Sequence, residues 1–390
     1  MLKKFRKTRI LAAAQAAGAD VLVATLPENL MYLCDDFYSV SQRILYDSQC
    51  FAVLDCASGE VTILCPVADL PSIFEVEGME ARVVCFGSFR FDGCPGPLWD
   101  RISEASAERY PSAEDALIGV LKGRSAVVAI DEGRIRPQNW DKCVQALPEA
   151  KIIPGKAIFA KARMVKHPQE IELLRFAAQA SEQSLLEMLA AVRPGVTERG
   201  MERSYGMAMY ARGAEPTYYV GVVDERTAFS DTRSTGLAVR SGSLLRFDFG
   251  GNYHGYRADL ARTAVCGPAD PRAEAAYAAV EAGAKAAIAA VRPGRTADEI
   301  FRIAVQETRR AGLPDYARHH CGHGIGLEMY DHPSICAGND CPLEEDMVLC
   351  IETPYYAIGW GGVQIEHTIR VTADGAEFLD SGDSSLIRLG

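Results

Sequence analysis

The sequence predicts a mixed α/β protein of the α+β type in two domains, and three observations carry that prediction. Residues 1–150 alternate amphipathic helical stretches with short apolar runs, the pattern changes over residues 151–168, and the remainder contains an internal repeat. At 390 residues and 48% hydrophobic content, the chain has material for two cores.

Taken in order, MLKKFRKTRILAAAQAAGADVL reads as an amphipathic first helix with a basic, solvated end. GADVLVAT is a strand, QCFAVLD and EVTILCP form a hairpin, and RVVCF and AVVAID are further strands, so the first domain is mixed α/β. KIIPGKAIFAKARMVKHPQE then runs into a helix opening at Pro168, a residue suited to the first helical turn. The boundary is set near Ala157, giving domains 1–157 and 158–390. In the second domain, residues 190–216 and 289–315 share a VRPG turn, a following helix and a glycine near the helix end. Each copy follows an alanine-rich helix and precedes strand-like sequence, so two similar halves are expected to face each other across a pseudo-two-fold axis. Val192–Gly195 and Val291–Gly294 are therefore structural turns.

Composition excludes several function classes. A net charge of −11, with no basic run beyond the amino-terminal MLKKFRK, argues against nucleic acid as a partner. No apolar stretch is long enough to span a membrane, since Gln15 and Asp20 interrupt the first segment. The twelve cysteines are scattered without a CxxC pair, which fits reduced thiols in a cytoplasmic protein. Cys321 and Cys350 lie two residues before His323 and Glu352 and are read as packing behind the site.

The chemistry is concentrated in three blocks. LLRFDFGGNYHGYRADLART carries Asp248 and Asp259, HHCGHGIGLEMYDHP carries His323, and CIETPYY with GGVQIEHTIRVT carries Glu352 and Glu366. Alternation places Leu244, Arg246 and Asp248 on one strand face, GGNYHG makes a turn, and the returning strand brings Asp259 beside Asp248. His323 sits in a glycine-flanked loop that lets backbone approach a ligand. Glu352 in apolar VLCIET requires a cation partner, and Gln364 shares a face with Glu366. Four carboxylates and one imidazole converging in a fold repel each other unless cations lie between them, and a pair of divalent metals resolves that repulsion.

With these blocks in view, the chain resembles the pita-bread, or creatinase/aminopeptidase P/prolidase, family of M24-type metallopeptidases. GADVLVATLPENLMYL is similar to the family's creatinase-like accessory domain and RMVKHPQEIELLR to its domain junction, so the likeness covers nearly the whole chain. The resemblance implies two divalent ions on Asp248, Asp259, His323, Glu352 and Glu366, with Asp259 and Glu366 bridging. It also implies that Glu352 handles the proton of the attacking metal-bound hydroxide. Manganese, cobalt, iron and zinc all suit such a donor set. A homodimer is implied, with the stretch around Tyr32, Phe37 and Tyr38 either reaching the partner's cleft or packing locally.

Departures from the family pattern shape the functional expectation. Proline-specific members use two further histidines, seventeen residues before the first metal aspartate and seven after the metal histidine. Here those positions are Asp231 (or Ser230, if the alignment slips by one) and Tyr330. Losing two transition-state donors is worth a few kcal/mol each. Tyr330 is a candidate replacement donor. Asp231 either recognises a cationic group of the substrate or pairs with Arg233. His319 matches a histidine lining the family's substrate pocket, while His332 is read as a surface residue. Gln364 stands where the family has arginine, and His367 where it has aspartate, so the tuning of the metals differs.

The expected function is a dinuclear-metal hydrolase cleaving an amide or amidine C–N bond in a small amino-acid-like substrate or short peptide, with Glu352, His319, Tyr330 and Asp231 as catalytic residues. An Xaa-Pro aminopeptidase or prolidase is the alternative, and a metal-assisted lyase of small zwitterions a second. A non-catalytic binding module is disfavoured because all five ligands are kept.

Overall fold

The computed structural model describes residues 1–34, 36–37, 39–40, 42, 49–76, 78–79 and 81–390. Tyr38 lies outside the described residues. The chain divides into two compact units, Met1–Arg163 and Met164–Gly390. The break comes a few residues after Ala157 because the helix Lys156–Arg163 packs on Leu2–Ala16 and stays with the first unit.

The first unit is built on a seven-stranded mixed sheet in the order Arg109–Tyr110, Arg82–Phe86, Val61–Pro66, Phe51–Asp55, Val21–Ala24, Val127–Ile130, Lys151–Pro154. The anticipated hairpin is present, with Phe51 opposite Leu64. Its turn is held by the Asp55 carboxylate, which accepts from the amides of Ala57 and Ser58. Val21, Val23, Phe51, Val53 and Leu64 pack against Leu117 and Leu121 to form its core. The first helix departs from expectation at its basic end. Arg6 is buried, donating to Asp36 Oδ1 at 2.8 Å and Met31 O at 3.4 Å, because a guanidinium can be buried when oxygens surround it. Tyr32 and Phe37 are buried, Tyr32 donating to Ala162 O.

The second unit opens with the helix Pro168–Ala190, capped by His167 and Glu170. The repeat is visible bond by bond. Gly195 and Gly294 take φ of 96° and 86°, a left-handed conformation that explains the glycine of each VRPG turn. The amide of Gly195 donates to Val239 O and that of Gly294 to Leu343 O. Thr197 and Thr296 cap the helices Glu198–Ala211 and Ala297–Arg310, and each threonine forms an isolated bridge, to Ala238 and Pro342 respectively.

These helices accompany a ten-stranded sheet whose main path is Tyr256–Arg257, Leu244–Tyr253, Leu260–Cys266, Glu366–Val371, Val348–Glu352, Gly322–Gly324, Asp331–Ser334. Glu215–Val223 pairs with Leu244–Tyr253, and Ile387–Leu389 joins Leu260–Cys266 in parallel. Two local readings are corrected. The GGNY of GGNYHG continues the strand, and the turn is His254–Gly255, both at positive φ. His323 lies in a three-residue strand paired with Val348–Glu352, not in a loop.

Candidate metal centre

Strand register lays out the site. Ala261 lies opposite Asp248 on one side and Glu366 on the other, and Glu366 lies opposite Glu352. Directly paired residues point to the same face of a sheet, so Asp248, Ala261, Glu366 and Glu352 form one row across four strands. The methyl of Ala261, fully buried, leaves space between two carboxylates. Asp259, two residues before Ala261 and just outside the strand Leu260–Cys266, reaches the same face. Carboxylate oxygens of Asp248, Asp259 and Glu366 come within 4.8 Å of one another. His323 Nε2 is 3.5 Å from Asp259 Oδ2, which brings the imidazole to the same carboxylates, and Glu352 joins them through its register with Glu366.

Neighbouring groups fix four of these side chains. His323 Nδ1 lies 2.9 Å from Gly324 O, an acceptor only, so Nδ1 carries the proton and Nε2 faces the carboxylates as the atom free to bind a metal. The Tyr218 hydroxyl touches both Asp248 Oδ1 and Asp259 Oδ1. Tyr218 reaches them by crossing Gly250, where a Cβ would meet Ala258 O at 2.1 Å and Tyr218 Cε1 at 2.9 Å. Gln364 Nε2 donates to Asp248 Oδ2 at 3.0 Å, and its Oε1 accepts from Arg246 Nη1 at 2.8 Å and the Tyr356 hydroxyl at 3.0 Å. His320 Nδ1 is 3.1 Å from Glu352 Oε1.

The electrostatics are dominated by burial and by the mutual repulsion of the carboxylates. Burial, and after it Asp259, pushes the Asp248 carboxyl from 3.8 up to about 7. Burial and the three other carboxylates hold Glu366 well above its ordinary range. Burial raises Glu352 as well, but His320, Arg318 and His323 outweigh it and leave that group below its usual value. Glu366 Oε1 is buried with no hydrogen-bond donor, an arrangement that is costly for a carboxylate oxygen unless a cation binds it. The residues present therefore fit divalent ions in an oxygen-rich setting with one imidazole. Cys350 stands beside this set, its Sγ grouped with His323 and Glu366. Its contacts are Asp259 O and the Thr368 hydroxyl, each at 3.6 Å, and burial keeps the thiol protonated by raising its pKa far above normal.

The other expected residues fall unevenly. Tyr330 stands at the site, its ring centroid 4.0 Å from that of His323, with 62% of the residue exposed. His319 is exposed and stacks edge-on with His320, and it is His320 that touches Glu352. Asp231 is exposed on the segment after the short 3-10 turn Asp224–Ala228 and meets Ser230 Oγ at 3.3 Å; among the described residues it pairs with no arginine, so the Arg233 option is not realised. His332 is exposed. His367 is fully buried between Asp380 and Ser384, at 2.9 and 3.0 Å. Sequence reasoning missed Tyr218 and His320, and placed Arg246 on the Asp248 face without giving it a role. The Gly-Gly after Phe249, read there as part of a turn, was the one available signal for Tyr218.

Residues 172–373 match the model of metallopeptidase family M24. The chain belongs to that family. Its relatives include an Xaa-Pro dipeptidase of Pyrococcus furiosus, 30% identical over 58% of this chain and 65% of the relative. A probable dipeptidase PepE of Mycobacterium bovis is 33% identical over 59% of this chain and 62% of the relative. The matches thus span just under two thirds of each of these curated relatives. Among solved structures, the dipeptidase PepE of Mycobacterium ulcerans superposes with a TM-score of 0.81 at 27% identity, covering 100% of this chain and 98% of that one. The fold is the pita-bread fold of M24 proteins, preceded by a mixed α/β unit.

Proposed function

We propose that this M24 protein is a dinuclear-metal hydrolase that cleaves the amide bond of a dipeptide-sized substrate. The observation that carries the reading is the row of Asp248, Glu366 and Glu352 with Asp259 and His323 beside it, in which Glu366 Oε1 is buried without a donor. The dipeptidase names of the relatives support the substrate size. Asp248, Asp259, His323, Glu352 and Glu366 would hold the ions. Once bound, the pair would supply an activated water and a Lewis acid for the scissile carbonyl; manganese, cobalt, iron and zinc all fit.

The chain's own residues supply the rest. Tyr218 holds the two aspartates at a fixed separation through one hydroxyl. Glu352 is the proton acceptor and donor, and His320 at 3.1 Å orients it. Tyr330, over the His323 ring and open to solvent, is placed to donate to a developing oxyanion at the mouth of the site. The test is release of free amino acid from a dipeptide panel by protein reconstituted with manganese, cobalt or zinc, against a chelated control. Chelator-sensitive turnover is expected. Metal-loaded protein inert on every dipeptide would refute the reading.

A further inference from the structure

Two arginines flank the Tyr356 ring beside the metal centre, and they differ in how their charge is used. Arg246 lies with its guanidinium carbon 5.1 Å from the ring centroid and is fully buried. Its donors are all occupied: Nε on Thr227 O, Nη1 on Gln364 Oε1, Nη2 on Phe229 O and Ser230 O. Arg318 lies 5.6 Å from the same ring. Its Nε is buried with no hydrogen-bond partner, and among the described residues no acidic side chain pairs with it. Its charge nevertheless reaches the site, depressing the pKa of both Glu352 and His319.

Such an arginine is unusual, because a guanidinium taken partly out of water normally finds a carboxylate or carbonyl oxygens. The nearby acids do not fill that role. Glu352 is engaged by His320, and two divalent cations, if held as proposed, would balance the four carboxylates of the centre. Arg318 then remains as a planar cation next to Tyr356, one residue from His319 and two from His320. What it fits is a planar anion brought in by the ligand.

We propose that Arg318 is the anion-recognition residue of this site and holds the free α-carboxylate of a dipeptide-sized substrate. This rests on the peptidase reading and narrows it: a cationic amidine would meet repulsion from Arg318, whereas a dipeptide or N-acyl amino acid places a carboxylate one residue beyond the scissile bond.

The experiment compares alanyl-proline with alanyl-proline amide as substrates of metal-loaded wild type, Arg318→Gln and Arg318→Lys. A second readout, independent of turnover, is the melting shift produced in metal-free protein by N-acetyl-proline against N-acetyl-prolinamide. The wild type should prefer the acid by roughly 10- to 100-fold in kcat/KM, the range of a charge-assisted hydrogen bond. The ratio should collapse towards one in Arg318→Gln and recover in part in Arg318→Lys, and the melting shift by N-acetyl-proline should follow the same order. A glutamine variant that keeps the preference, or a wild type indifferent to the carboxylate, overturns the assignment. If wild type cleaves neither compound, the peptidase reading is struck instead. The binding readout then decides alone, and a melting shift unaffected by Arg318→Gln overturns the carboxylate assignment.

Discussion

Asp248→Asn should make the metal-free protein more stable, although it removes a charged group from the middle of a sheet. The Asp248 carboxyl sits at about 7 instead of 3.8, burial and Asp259 being the main causes. At about 1.4 kcal/mol for each pH unit, holding that charge at pH 8 costs on the order of 4 kcal/mol, and shared titration with Asp259 and Glu366 reduces the amount recovered to roughly 2–4 kcal/mol. The folded pKa lies above the unfolded one, so the native state binds the proton more tightly. Metal-free wild type therefore loses stability as pH rises from about 4 to about 7 and carries the full penalty above that. Asparagine fits the site: its amide can donate to the Tyr218 oxygen while its carbonyl accepts from Gln364 Nε2, which now lies 3.0 Å from Asp248 Oδ2. In chelator at pH 8 the variant should melt roughly 5–12 °C above wild type, and the gap should shrink at pH 5. Manganese should reverse the order once free metal reaches about 1,000 times its Kd, where it adds about 4.1 kcal/mol to wild type and little to the variant. Differential scanning calorimetry with and without chelator reads all three arms. A variant that melts below wild type in chelator at pH 8 would refute the picture of carboxylates held against each other.

Four further outcomes follow from the same geometry. Glu366→Ala should abolish both metal binding, measured by calorimetric titration, and turnover; an active variant containing no metal would remove the site assignment. Ala261→Val adds two methyls between Asp248 and Glu366 and should cost about 1–3 kcal/mol of stability while weakening metal binding well beyond that, so unchanged metal affinity would show that the row does not converge there. Thr197→Ala and Thr296→Ala each remove a helix cap and should lower stability by about 1 kcal/mol, read from urea midpoints, without altering metal affinity. Tyr330→His should fold as wild type, because most of the residue is exposed, and should raise turnover of Xaa-Pro dipeptides; an unchanged rate would mean that the cleft is shaped by other residues.

The candidate carboxylate ligands were legible because a charged group in or beside an apolar strand pattern is reasonable to bury only against a cation, whereas His323 stood out by its flanking glycines. The repeat was legible because a glycine at positive φ and a threonine cap recur at the same spacing, and both are chemical requirements of the turn. Other features depended on direction, which sequence does not encode. Of two adjacent histidines, His320 faces Glu352 and His319 faces outward, a choice made by the backbone entering the strand Gly322–Gly324. Tyr218 reaches the aspartates only because the register of Glu215–Val223 shifts between Pro216 and Tyr218. Arg6 read as solvated because nothing in MLKKFRK announces that Asp36, thirty positions away, comes to meet it. The two-residue strand Arg109–Tyr110 is too short to leave a periodic trace.

Arg246 gives the site a mechanical property that a catalogue of its ligands would not convey. One guanidinium clasps the carbonyls of Thr227, Phe229 and Ser230 and, through the amide of Gln364, steadies Asp248. The segment leading to Asp231 is thus moored to the same post as a carboxylate of the candidate metal centre. Anyone redesigning that loop to admit a different substrate would be tugging on that carboxylate as well, so on the proposed reading selectivity and metal retention should drift together through successive rounds of loop variation. Keeping them apart would first require a new anchor for one of the two.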